Sequence, residues 1–201
     1  MFGFEHTVHS LRGDEGHCGL GLTEVASRMK SRSFLALRAA NNAVFGAAAV
    51  CAVTTIHHRY GASIYHTPWR IHAAIISGLA TAMIGASVSL LRGHLDDAFG
   101  AAASCVFVVA TFLVPFLGFG VFEGGYNHLL KVALYFCHAS PTLMASLFPP
   151  PTYEMPNDAF FEITGVLQVI PGFITCYYLY RFVRDMYKNE ETGPDTRVSD
   201  A

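Results

Sequence analysis

Five stretches of the chain run apolar for about twenty residues each, and charged residues fall almost entirely between them. At 1.5 Å per residue, about twenty residues span the 30 Å hydrocarbon core of a bilayer. The runs lie at about 33–56, 71–91, 98–122, 129–148 and 159–183. Four are clean. The run at 129–148 is interrupted by Lys131, His138 and Pro141, and Pro149, Pro150 and Pro151 follow it, which no helix continues through. Pro115 lies inside the third run, where it is expected to kink the helix.

Charge fixes how many runs cross. Arg12, Arg28, Lys30 and Arg32 flank the first run, and Arg181, Arg184, Lys188 and Arg197 flank the end of the last. The positive-inside rule places both flanks on the cytoplasmic side, so the number of crossings is even. The expected fold is therefore an all-α integral membrane protein: a four-helix transmembrane bundle at about 33–56, 71–91, 98–122 and 159–183, plus one re-entrant or interfacial helix at about 129–148. A polar cytoplasmic arm (1–32) and a charged cytoplasmic tail (184–201) enclose this single domain. Five crossings with the termini on opposite sides is the alternative. No apolar stretch occurs early enough for a cleavable signal, so the first run is expected to act as an uncleaved anchor. The small size and the Ala- and Gly-rich spans suggest a bacterial inner (plasma) membrane.

Composition agrees with a bilayer as the main partner. Of 201 residues, 52% are hydrophobic and only 14% charged, against about 25% charged in a soluble domain. No basic stripe interleaves with aromatics, which argues against nucleic acid. The five cysteines, Cys18, Cys51, Cys105, Cys137 and Cys176, form no CxxC pair. Three lie within the clean apolar runs and read as small hydrophobes, and the set is neither a disulfide framework nor a zinc knuckle. His6, His9, His17 and Cys18 in the arm match no compact ligand spacing.

With this topology His57, His58, His66, His72, His128 and His138 fall on the non-cytoplasmic side with Glu123, Glu154, Asp158 and Glu162. The stretch Glu123-Gly-Gly-Tyr-Asn-His128 concentrates polar groups where the third span is expected to end, with the glycines bending the chain into the fourth run. Three readings follow. In the first, Glu123, His128 and Glu162 hold a divalent transition metal, because imidazole and carboxylate together suit Zn, Fe or Mn. Helical carboxylate bundles use Glu-x-x-His; here Glu123 and His128 are five apart, about 140° around an α-helix, so a break at Gly124-Gly125 is needed.

In the second reading, Glu123, Tyr126, Asn127 and Glu162 form a hydrogen-bonded plug, with Asn157 and Asp158 capping the last helix. In the third, Gln168 lies between Gly165 and Gly172 on one helical face below Glu162 and marks a proton route or a groove for a lipid or quinone-like molecule. Tyr126, Asn127 and Gln168 thus join the polar pocket. No inverted repeat supports a transporter. His57 and His58 are adjacent, so their side chains are expected to diverge at the membrane interface. Ala74, Gly78, Thr81, Gly85 and Ser89 are expected to form the packing face of the second span.

Pairing His72 with His138 on a haem has little support, and no GxSxG, HExxH, P-loop, GxGxxG or CxxCH motif occurs. The expected function is a structural or accessory multi-pass membrane protein, with a metal-binding protein or a small-molecule or proton pathway as the alternative.

Overall fold

The computed structural model describes residues 15–95, 97–150 and 153–190, and every regular element among them is helical. His6 and His9 lie outside the described residues. Four helices are long and apolar enough to cross a membrane: Ser33–Ile64, Pro68–Gly93, Ala98–Phe136 and Ala159–Met186. The number matches the parity argument, but the lengths do not match the expected boundaries.

Helix α1, Glu15–Ile64, continues well past residue 56. Nothing in His57–Ile64 breaks a helix. Gly61 is used for contact: a Cβ there would lie 2.4 Å from the Phe161 ring. The helix stops where His66 turns left-handed (φ 53°) and the Thr67 amide reaches back to the Ala62 carbonyl at 3.1 Å, a Schellman closure made with histidine in place of the usual glycine. A short 3-10 turn, Pro68–Arg70, leads into α2, Ile71–Gly93.

The third long helix is continuous through the polar stretch. It comprises α3, Ala98–Thr111, a π-helical segment, Phe112–Leu130, and α4, Lys131–Phe136. The expectation that the chain turns at Gly124-Gly125 is therefore corrected. Those glycines stay helical, and the run at 129–148 is divided. Its first part completes the third helix. The chain then turns at His138 (φ 56°), and only α5, Pro141–Leu147, is a short separate helix. Pro115 has no N–H to donate and glycines at 118, 120, 124 and 125 leave the backbone uncrowded, which favours the wider i→i+5 ladder over the ordinary one.

The last long helix is α6, Ala159–Leu167, and α7, Val169–Glu190, with a slight break at Gln168. Pro171 explains the break, because it cannot donate to the Leu167 carbonyl. Asp158 caps α6 by accepting from the Phe161 amide at 2.8 Å and from the Tyr60 hydroxyl at 3.1 Å. Asn157 does not cap; it accepts from the Tyr65 hydroxyl. Asp158→Ala is expected to cost about 1 kcal/mol through the lost cap, read as a lowered Tm in detergent, whereas Asn157→Ala should change Tm less. At the other end Asp97 caps α3 through the Gly100 amide at 2.9 Å. The His94 ring, with help from that amide, holds the Asp97 carboxyl below its ordinary range.

Alanines make the centre thin enough for close packing. Ala36, Ala40, Ala43 and Ala47 of α1 meet Leu179 and Phe182 of α7, Ile84 and Leu91 of α2, and Phe107 of α3. The buried face of α2 is Ala73, Ser77, Ala80, Ile84, Ser87, Val88 and Leu91. The expected face is corrected: Gly78 and Gly85 have nothing within 4 Å of an added Cβ. Serine hydroxyls can line the buried face because each bonds its own helix, as Ser77 does to the Ala73 carbonyl at 2.8 Å. Large apolar side chains such as Phe45, Leu79, Phe99 and Ile163 point outward, as a lipid-facing surface requires.

Candidate metal centre

The last turns of α1, the π-helical segment and the start of α6 meet at one end of the bundle. Their polar residues converge on a single atom, Oε1 of Glu123. His58 Nε2 lies 3.3 Å from it, His128 Nε2 3.6 Å and His57 Nε2 3.7 Å. The donor atoms of His57, Glu123 and His128 all lie within 4.8 Å of one another. His57, His58 and His128 are buried, and the Glu123 side chain is 15% exposed.

The π-helical ladder is what makes this convergence possible. With i→i+5 bonding, residues five apart lie nearly above one another, so Glu123 and His128 share a face without a break in the chain. The adjacent histidines do not diverge to the interface either. About 100° apart on α1, they reach the same oxygen of Glu123, with their rings edge to face at a centroid separation of 5.1 Å.

Each of these side chains is held from behind. His128 Nδ1 donates to Glu162 Oε2 at 2.8 Å. Glu162 Oε1 accepts from Lys131 Nζ at 2.9 Å, and Lys131 also donates to the Glu154 carbonyl at 2.7 Å. Glu162 thus lies on the Nδ1 side of the His128 ring, opposite the Nε2 that faces Glu123. Thr164 donates its hydroxyl proton to the Phe160 carbonyl at 2.7 Å, which leaves its oxygen to accept from His57 Nδ1 at 3.1 Å. Asn127 Nδ2 donates to Glu123 Oε2 at 2.7 Å. The His57 ring stacks on Phe161 at 4.1 Å between centroids. Carboxylate–histidine pairs of this kind set the tautomer and aim of a metal-binding imidazole.

Those bonds determine what faces Glu123. With Nδ1 of His57 and His128 both donating, a ring in its neutral form presents an Nε2 lone pair toward a carboxylate oxygen. His57 Nε2 is buried with no hydrogen-bond partner. Two acceptors lie face to face without repulsion only where a cation, a proton on the ring or a metal ion, lies between them.

The remaining expected pocket residues are dispersed. Tyr126 donates to the Leu147 carbonyl at 2.9 Å, tying α5 to the third helix. Gln168 is fully buried and accepts from Thr54 at 2.6 Å. The face it shares with Gly165 and Gly172 is filled rather than open: an added Cβ would lie 2.2 Å from the His128 ring at Gly165 and 2.8 Å from Gly120 Cα at Gly172. His72 lies outside the cluster, bonded to the Trp69 carbonyl.

A cavity of about 220 Å³ opens on the cluster, lined by Glu123, Asn127, His128, Arg70, Lys131 and Tyr153 among others. Burial pushes the Tyr153 phenol above its ordinary range and the Tyr65 phenol, which donates to Asn157, up to about 12, so both stay neutral. No family model, curated protein or solved structure matches this chain.

Proposed function

We propose that the chain is a membrane-embedded metal-binding protein that holds one divalent transition-metal ion on His57, Glu123 and His128, with a further coordination position facing the 220 Å³ cavity. The convergence of the His57 and His128 Nε2 atoms on one carboxylate oxygen carries this reading. Ligands bound at 2.0–2.2 Å around a tetrahedral centre stand about 3.3–3.6 Å from one another, and the His128 and His57 contacts to Glu123 Oε1 are 3.6 and 3.7 Å. They are too long for good hydrogen bonds, which run about 2.7–3.2 Å, and close to the edge of such a polyhedron. Two histidines and one carboxylate suit zinc or a non-haem iron, and three protein ligands leave room for a water or a substrate atom. His58 Nε2 contacts the same Glu123 oxygen at 3.3 Å and steadies the carboxylate. In the proposed topology the single domain over 33–183 sits in a bacterial inner membrane with both termini cytoplasmic, so the centre faces the non-cytoplasmic side.

Elemental analysis of detergent-purified protein should find about one equivalent of a first-row divalent metal per chain, as the three-ligand geometry implies. His57→Ala and Glu123→Gln should each remove most of it while leaving helical content intact. Substoichiometric metal after reconstitution, or metal retained in both variants, would sink the proposal.

A further inference from the structure

Arg70 is a buried cation without a matching anion. It is 9% exposed. Its Nε donates to Thr67 Oγ1 at 2.8 Å, and its guanidinium lies 5.3 Å from the centre of the Phe161 ring and 5.6 Å from that of Tyr65. Its Nη2 is buried with no hydrogen-bond partner. Among the described residues no carboxylate pairs with it. An unpaired guanidinium removed from water is costly, and its planar donors match an oxyanion. Arg70 lines the cavity in front of the metal-site residues.

A second, larger chamber of about 910 Å³ lies under α5, lined mainly by apolar side chains that include Tyr135, Phe136, Met144 and Phe148. Tyr153 and Glu154 line both spaces. A polar, cationic compartment thus adjoins an apolar one of the size that takes an extended ligand.

We propose that the two compartments hold one anionic amphiphile, its carboxylate or phosphate head on Arg70 and its chain in the chamber beneath α5. The Arg70 site does not depend on the metal reading. That reading adds charge: Glu123, Glu154 and Glu162 outnumber Arg70 and Lys131 by one, and a divalent ion would turn this single negative charge into a single positive one, which a monoanionic head offsets.

The test is binding of radiolabelled oleate and of dioleoyl phosphatidic acid to the purified full chain, with monoolein and inorganic phosphate as controls. Both anionic lipids should bind, and the tighter of the two identifies the head group. Arg70→Gln should weaken their binding at least tenfold, and Ala145→Trp, which fills the chamber from an exposed position, should weaken them while leaving inorganic phosphate unaffected. Arg70→Lys, which keeps the charge, should retain more binding than Arg70→Gln and guards against misfolding. Metal content should be unchanged in all three. Equal binding of monoolein, oleate binding unaffected by Arg70→Gln, or no binding of either anionic lipid to wild type would overturn the proposal. If wild type carries no metal yet binds oleate through Arg70, the metal reading fails and this one stands.

Discussion

Glu162→Gln is expected to lower the stability of the folded chain by about 3 kcal/mol or more, the usual cost of stranding one member of a buried ion pair. The Glu162 side chain is 10% exposed and Lys131 2%. Lys131 sits 2.9 Å from the Glu162 carboxylate, and its other contact is the neutral Glu154 carbonyl. Neutralising Glu162 therefore leaves a buried ammonium without its carboxylate partner. Adding Lys131→Met should restore much of the lost stability, because an uncharged pair of similar volume carries no such penalty. Metal affinity should behave differently. His128 loses its carboxylate partner in the single and the double variant alike, so affinity should fall about 10–100-fold in both. Thermal unfolding and metal titration on the four proteins of this cycle separate the roles. If stability and metal affinity recover together in the double variant, Glu162 acts only through the fold and the metal-centre reading loses its support from behind His128.

How much of this was legible in the sequence depended on whether the ordinary helical period applied. The number of apolar helices followed from hydropathy and charge parity, because both are sums over many residues. The Asp158 cap was legible for a local reason: an aspartate directly before an apolar run has few other uses. Glu123 and His128 were singled out by their chemistry. Their separation then misled, since about 140° is correct only for an α-helix and the segment they occupy is bonded i→i+5. A proline with four glycines in the following ten residues was the available signal.

His57 and His58 were missed because divergence was judged along α1 alone. Whether adjacent side chains meet a common partner depends on what lies between them, and Glu123 comes from another helix. On α2 the small residues formed two candidate faces one position apart, and periodicity could not choose between them. Serines such as Ser77, which bonds its own helix, take the buried face, while a Cβ at Gly78 or Gly85 would meet nothing within 4 Å.

Gly165→Ala is expected to abolish tight metal binding without altering any ligand. A Cβ at Gly165 would lie 2.2 Å from Cγ and 2.4 Å from Nδ1 of His128. The ring cannot simply swing away, because Glu162 holds Nδ1 at 2.8 Å and the Phe161 and His57 rings lie against it at 5.1 and 4.5 Å between centroids. Either His128 leaves its position beside Glu123 or α6 moves off the third helix. Overpacking of this kind costs about 1–3 kcal/mol, and a displaced imidazole should lower metal affinity by at least about tenfold, as loss of a supporting contact does. Gly78→Ala is the matched control, since nothing stands within 4 Å of its Cβ; it should leave Tm and metal content unchanged. The outcome that matters is the contrast. If Gly165→Ala binds metal as tightly as wild type, His128 tolerates displacement and does not belong to the ligand set. If it loses metal while Gly78→Ala does not, the absence of one methyl group at Gly165 is what allows α6 to press the imidazole against Glu123.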